Sequence, residues 1–360
     1  PLVKATVVLD EQGYIVEVIS PGSPGRSPAP GVNLPAGADT GSAARKGAAR
    51  GVMHFPEGVL VPGFVNAHVH LELSHLKGAI AEGTGIGGFI GAINRLRSVP
   101  EEEIVKAARE AAEEMYRQGI SAAADISNTA LTADIKRQSP LEWITLVETF
   151  GFHPSRAERA LGQALAVWQA FTSAGVRASV VPHAPYSVSD LLFSGVAGLG
   201  WEYSNLLSIH NQESKEEDLF FRNGSGAIRE HLTSHLGLDV SHWQPTGRSS
   251  LESTLPKLAA DKPLLLVHNT FTTAADLECI RTLRPGNNTW LVLCPNSNLY
   301  IGGSLPPVPL FRQEQVSLCL GTDSLASNHA LSVFSEMVTL HRHFPEIPDE
   351  ELLAMACLNG

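Results

Sequence analysis

Two histidines one residue apart, His68 and His70 in the segment PGFVNAHVHLE (62–72), are the first residues with an evident chemical use. On a regular strand, side chains two apart share a face, and two imidazoles on one face suit a divalent metal ion. Later segments offer donors of the same kind at the ends of apolar runs. Ile209-His210 is followed by Asn211-Gln212-Glu213, which sets a carboxylate three residues beyond an imidazole. Another run closes at Val267-His268, and SLCLGTDS (317–324) carries Asp323 just past its apolar residues. Any one of these histidines alone reads as a hydrogen-bonded core residue. Randomly placed histidines would seldom fall at run ends in this way, and together the donors read as metal-ligand types.

The elements that must position them are short apolar runs at 58–70, 119–126, 143–150, 178–183, 206–210, 264–268, 290–294 and 316–321. Helical stretches lie between them. In one, Pro100 precedes Glu101, Glu102 and Glu103, which suit a first helical turn, and Ile104, Ala107, Ala108 and Ala111 then recur at helical spacing. Such alternation predicts parallel βα units in an α/β fold, and eight of them close a (β/α)8 TIM barrel whose chemistry sits at the C-terminal strand ends. The donors fall at the ends of the first, fifth, sixth and eighth runs. The fourth run, 178–183, ends within VVPHAPYS (180–187) at His183, where some two-metal barrels carry a carbamylated lysine. No lysine stands on it, so one metal is expected rather than two.

Outside the runs, residues 2–20 hold two β-rich stretches around Asp10-Glu11-Gln12-Gly13, which predicts a hairpin of a small sheet. Residues 21–50 are rich in Gly, Pro, Ala and Ser and read as a mobile excursion. With 43% hydrophobic and 18% charged residues among 360, the chain has material for a large core. Its net charge of −11 opposes phosphate backbones and anionic lipid, so neither nucleic acid nor a membrane is expected as a partner. The absence of a long apolar span or a leader-like start is read as cytoplasmic. Cys279, Cys294, Cys319 and Cys357 form no C-x-x-C pair, which excludes the H-x-E…P-C-x-x-C zinc deaminase arrangement and leaves buried free thiols. Gly85-Ile86-Gly87-Gly88 lacks the Lys-Ser/Thr ending of a phosphate loop and is expected to form a loop over the barrel mouth. His54, His75, His153, His231, His235, His242, His329, His341 and His343 are expected in surface or structural roles.

PGFVNAHVHLE, the HxxE of His210 and Glu213, VHNT (267–270), CPNSN (294–298) and GTDSLASN (321–328), in this order, resemble the amidohydrolase superfamily and, more narrowly, its aminohydrolase (deaminase) branch. The resemblance runs from about residue 58 to the C-terminus. It implies a (β/α)8 barrel with a small β-sandwich: 1–57 as the sandwich part, 58–345 as the catalytic barrel, and 346–360 as the start of a helix returning toward the sandwich. Carried over by position, it makes His68, His70, His210 and Asp323 the ligands of one divalent ion, Zn²⁺ with Fe²⁺ as the alternative. Glu213, His268 and Asp323 would then handle protons, and His183 would face the substrate.

The substrate class implied is a small heterocyclic amine, a purine-type base or nucleoside that loses ammonia. HLELSHLKG (70–78) resembles the aminodeoxyfutalosine deaminases of menaquinone biosynthesis. Relatives acting on S-adenosylhomocysteine, methylthioadenosine, guanine or cytosine share the metal site. Hydrolysis of a ring C–Cl bond or a cyclic amide on the same scaffold is a second enzymatic reading, a non-catalytic barrel a third, and a homo-oligomer is compatible with all of them. The family's return strands do not appear before Gly360, so the chain is expected to be a fragment or a processed form.

Overall fold

The computed structural model describes residues 6–9, 15–19 and 58–360. Two compact units, Pro1–Val59 and Leu60–Gly360, divide the chain. In the first, β1 (Thr6–Leu9) and β2 (Ile15–Ile19) pair antiparallel, with Thr6 opposite Ile19 and a register shift after Val8. The turn expected between them, the excursion at 21–50 and the remainder of the expected sandwich lie outside the described residues.

The second unit alternates strands and helices. Its strands are β3 (Phe64–Val69), β4 (Ile120–Ser127), β5 (Glu142–Thr149), β6 (Arg177–Pro182), β7 (Leu207–Asn211), β8 (Leu264–His268), β9 (Thr289–Leu293) and β10 (Leu318–Leu320). Each overlaps one of the eight apolar runs. The helices after β3 are α1 (Gly85–Leu96) and α2 (Glu101–Arg117); then come α3 (Ala133–Gln138), α4 (Ala157–Ser173) and α5 (Asp190–Ala197). After β7 follow α6 (Lys215–Asn223), α7 (Ala227–Glu230) and α8 (Ser250–Thr254), and after β8 comes α9 (Ala274–Leu283). The last four are α10 (Pro295–Gly302), α11 (Val308–Gln313), α12 (Val333–His343) and α13 (Asp349–Cys357).

β3 to β6 form one parallel four-stranded sheet and β7 to β10 another. Backbone bonds join them at both seams. The His210 amide donates to the His183 carbonyl at 2.9 Å, and the Thr322 and Asp323 amides donate to the His68 carbonyl at 3.0 Å each. The result is a barrel of the TIM type, and both seams close at residues expected to do chemistry. Gly321 makes one seam possible: a Cβ there would stand 2.8 Å from the Cβ of His68, inside contact distance.

Side chains alternate as a half-in, half-out strand requires. On β8, Leu265 and Val267 fill the barrel with Ala67, Leu146, Val181, Val292 and Cys319, whereas Leu264 and Leu266 face the helix layer. That layer is anchored by Met115, Phe171, Leu192, Leu277 and Phe311. Helix α2 begins after Pro100 as expected and buries Ala108, Ala111, Ala112 and Met115. Helix α13 adds Leu352, Met355 and Ala356 to the same core, packed against β3 and β10.

Gly85 to Gly88 correct the reading of that segment as a loop. They form the first turn of α1, whose Ile86 and Ala92 are buried. Glycine disfavours helix, by about 1 kcal/mol per residue, but Ile86, Phe89, Ile90 and Ile93 supply an apolar face that tertiary packing rewards.

Candidate active site

Three imidazole nitrogens from the ends of β3 and β7 converge. His70 Nε2 lies 3.1 Å from His68 Nε2 and 3.3 Å from His210 Nε2. The Asp323 Oδ1 oxygen stands 3.4 Å from the His70 nitrogen and 3.7 Å from that of His68. The other oxygen of Asp323 accepts hydrogen bonds from Ser297 Oγ at 2.6 Å and Ser327 Oγ at 3.0 Å, which holds Oδ1 toward the imidazoles. His68, His210 and Asp323 are buried, and His70 is partly exposed.

The strand geometry is less regular than the spacing of His68 and His70 assumes. β3 loses its ladder register between Asn66 and Val69, and His70 stands just beyond the strand. The two imidazoles meet because the chain curls there, with the rings edge to face at 4.8 Å between centroids.

His268 is turned into the site by its backbone. Val267 points into the barrel, so strict alternation would send His268 toward the helices. Instead His268 and Asn269 take φ values of 75° and 56°, left-handed angles that few non-glycine residues adopt. Gln212 at 47° and Asp323 at 55° do likewise, so strained residues gather at the ends of β7, β8 and β10. His268 Nε2 then lies 3.8 Å from Glu213 Oε1, and its Nδ1 lies 3.1 Å from Asn298 Oδ1.

Burial lowers the pKa of every imidazole here. For His68, desolvation is reinforced by the neighbouring imidazoles, and its value falls well below the ordinary one. His70, His210 and His268 are lowered too, desolvation again leading. His183 drops to about 4, through burial and then the charge of Arg97. Burial moves Glu213 the other way, up to about 7, so near neutrality it can both give and take a proton.

This donor set fits a divalent cation. Neutral imidazole is the ligating form, and His210 Nδ1 donates to the His183 carbonyl at 2.8 Å, leaving its Nε2 lone pair for the cluster. His70 Nε2 lies 3.1 and 3.3 Å from the other two ring nitrogens with a carboxylate oxygen beside them, and three N with one O suit zinc. Glu148, His183 and His210 form a second convergence of donor atoms. There the Nδ1 proton of His210 is already committed to the His183 carbonyl, with Glu148 Oε1 at 3.4 Å on the same side. That carboxylate backs the histidine rather than opening another metal site.

Among the expected site residues, His68, His70, His210 and Asp323 come together, and Glu213 and His268 face each other beside them. His183 sits next to the cluster, its ring 4.8 Å from that of His210, while its Nδ1 pairs with Ser187 Oγ at 2.7 Å. Asn298, Ser297 and Ser327 lie inside the motifs CPNSN and GTDSLASN, where residue type alone gave them no role. Glu148 was not singled out at all; its only signal is a place at the end of the third run.

Residues 59–360 match the model of the amidohydrolase family. The chain belongs to this family. It is 27% identical over 285 residues to an adenosine deaminase of Helicobacter pylori, covering 79% of this chain and 68% of the relative. An aminodeoxyfutalosine deaminase of Deinococcus radiodurans is 27% identical over 320 residues, covering 84% and 72%. Among solved structures, Helicobacter pylori aminofutalosine deaminase in complex with methylthio-coformycin superposes with a TM-score of 0.72 at 25% identity, over 81% of this chain and 70% of that one.

Proposed function

We propose that the protein is a metal-dependent hydrolytic deaminase of an adenosine-like nucleoside, with 6-amino-6-deoxyfutalosine as the best single substrate. The observation that carries this reading is the pairing of Glu213 with His268 at 3.8 Å beside three converging imidazoles. Relatives named as adenosine and aminodeoxyfutalosine deaminases support the substrate class. His68, His70, His210 and Asp323 would hold one zinc ion, with ferrous iron as the alternative. Bound there, the metal supplies an activated water, because coordination lowers the pKa of water from about 15.7 to about 7.

The protein's own groups move the protons. His268 accepts through Nε2, which is free because Nδ1 donates to Asn298. Asp323 shares this duty, its geometry held by Ser297 and Ser327. Glu213 gives a proton to the ring nitrogen next to the amine-bearing carbon, so negative charge does not accumulate on the heterocycle. Overall, water replaces the exocyclic amine and ammonia leaves. His183 faces the heterocycle from the end of β6. In this reading 1–57 is sandwich, 58–345 barrel and 346–360 the returning helix, and the protein works in the cytoplasm on a small molecule, alone or as a homo-oligomer. Among the described residues no helix is long and apolar enough to cross a membrane.

Ammonia release by zinc-loaded protein tests this on aminodeoxyfutalosine, S-adenosylhomocysteine, methylthioadenosine, adenosine, guanine and cytosine. Turnover of one nucleoside is the expected result. Silence across the panel with zinc bound, or release of chloride from a chlorinated heterocycle instead, would overturn it.

A further inference from the structure

Lys136 and Asp125 form an ion pair at 2.6 Å with both side chains at 0% exposure. Burying two charges costs several kcal/mol per ion, and well-packed apolar residues often replace such a pair without loss, so stability alone gives little reason for it. The hydrogen bonds show what it holds. One Asp125 oxygen accepts from Lys136 Nζ and, at 3.0 Å, from Ser127 Oγ. The other is thereby left to take the backbone N–H of Leu71 at 2.7 Å. Leu71 opens the 3₁₀ helix Leu71–Leu76, whose first amides have no partner within it. Its nitrogen belongs to the same peptide as the His70 carbonyl.

Lys136 is itself fully engaged. It donates to Thr145 Oγ1 at 2.8 Å and Ser127 Oγ at 3.2 Å, and stands 4.4 Å from the centre of the Phe171 ring. It reaches Asp125 from α3 and fixes the carboxylate in one orientation. A second carboxylate crosses in the opposite direction. Glu72 takes the amides of Asn128 at 2.9 Å and Thr129 at 3.3 Å, in the loop that follows β4. The end of β4 and the loop after it thus bond the two residues that directly follow His70, just past the point where the β3 ladder has lost its register.

We propose that Asp125, oriented by Lys136, is a positioning residue that fixes the His70–Leu71 peptide and so aims the His70 imidazole at His68 and His210. The inference rests on reading His70 as a metal ligand. Its test is zinc affinity of the full chain, measured with Zn²⁺ alone in competition with a chromogenic chelator. Asp125→Asn combined with Lys136→Met removes both charges at nearly constant volume. Asp125→Glu keeps the charges and moves the carboxylate by one methylene. Each variant that retains a cooperative unfolding transition is expected to bind zinc about 10- to 100-fold more weakly, the loss typical of partners that orient a ligand. Should the double variant fail to fold, Asp125→Glu decides. A folded variant with zinc affinity within about twofold of the parent would overturn the proposal and leave the pair a purely structural one. Because the readout is affinity rather than turnover, failure of the deaminase reading would show separately, in the ammonia assay.

Discussion

Glu213→Gln should slow turnover by about 10²- to 10⁴-fold and, in the same molecule, strengthen the metal-free fold at alkaline pH. The carboxyl group is buried and its pKa stands at about 7, against an ordinary 4.5. Between these values the folded state keeps a proton that the unfolded chain has lost, so stability falls as pH rises. The slope is about 1.4 kcal/mol per pH unit, and over the interval it accumulates to roughly 3 kcal/mol, complete above pH 7. Glutamine carries no charge to desolvate. Urea unfolding of chelator-treated protein should therefore show parent and variant alike near pH 4.5 and the variant more stable by about 3 kcal/mol at pH 8. For catalysis the sign reverses, because an amide cannot deliver and recover a proton. Zinc-loaded Glu213→Gln should lose about 10²- to 10⁴-fold in kcat, or roughly 3–5 kcal/mol of transition-state stabilisation, with zinc stoichiometry unchanged. Turnover within tenfold of the parent would refute the proton-transfer role. A stability difference that does not change with pH would refute the buried, raised-pKa account of the group.

Chelation should remove activity, and added Zn²⁺ or Fe²⁺ should restore it; full activity in a metal-free preparation, checked by elemental analysis, would exclude a metal-dependent reaction. Asp323→Asn should weaken zinc by more than the roughly 10- to 100-fold lost with an outer partner, since it removes the charge facing His68 and His70, and calorimetric titration reads this directly. Phe171→Ala, at a fully buried position of the helix layer, should cost about 3–5 kcal/mol in urea unfolding.

The parallel α/β architecture was legible because strand and helix periods leave different apolar patterns. Val267 and Leu265 on one face of β8, with Leu264 and Leu266 on the other, make a run buried on both sides. The glycines of α1 defeated that reading, since local propensity opposed helix and packing with Leu76, Ile80 and Ala326 won.

Residue type and place in the run marked His68, His70, His183, His210, Glu213, His268 and Asp323 as chemically capable, since so many imidazoles and carboxylates seldom gather at run ends by chance. What alternation could not supply is direction. His268 points into the site only because two successive residues take left-handed backbone angles, and His70 does so only where the β3 ladder breaks. The partners that orient these groups come from far along the chain: Asn298 beside His268, Ser297 and Ser327 on Asp323, Glu148 behind His210, and Asp125 under Leu71. Side-chain chemistry is a local property that sequence carries by itself. Orientation depends on contacts between segments that only barrel closure brings together, and so the tertiary structure alone decided it.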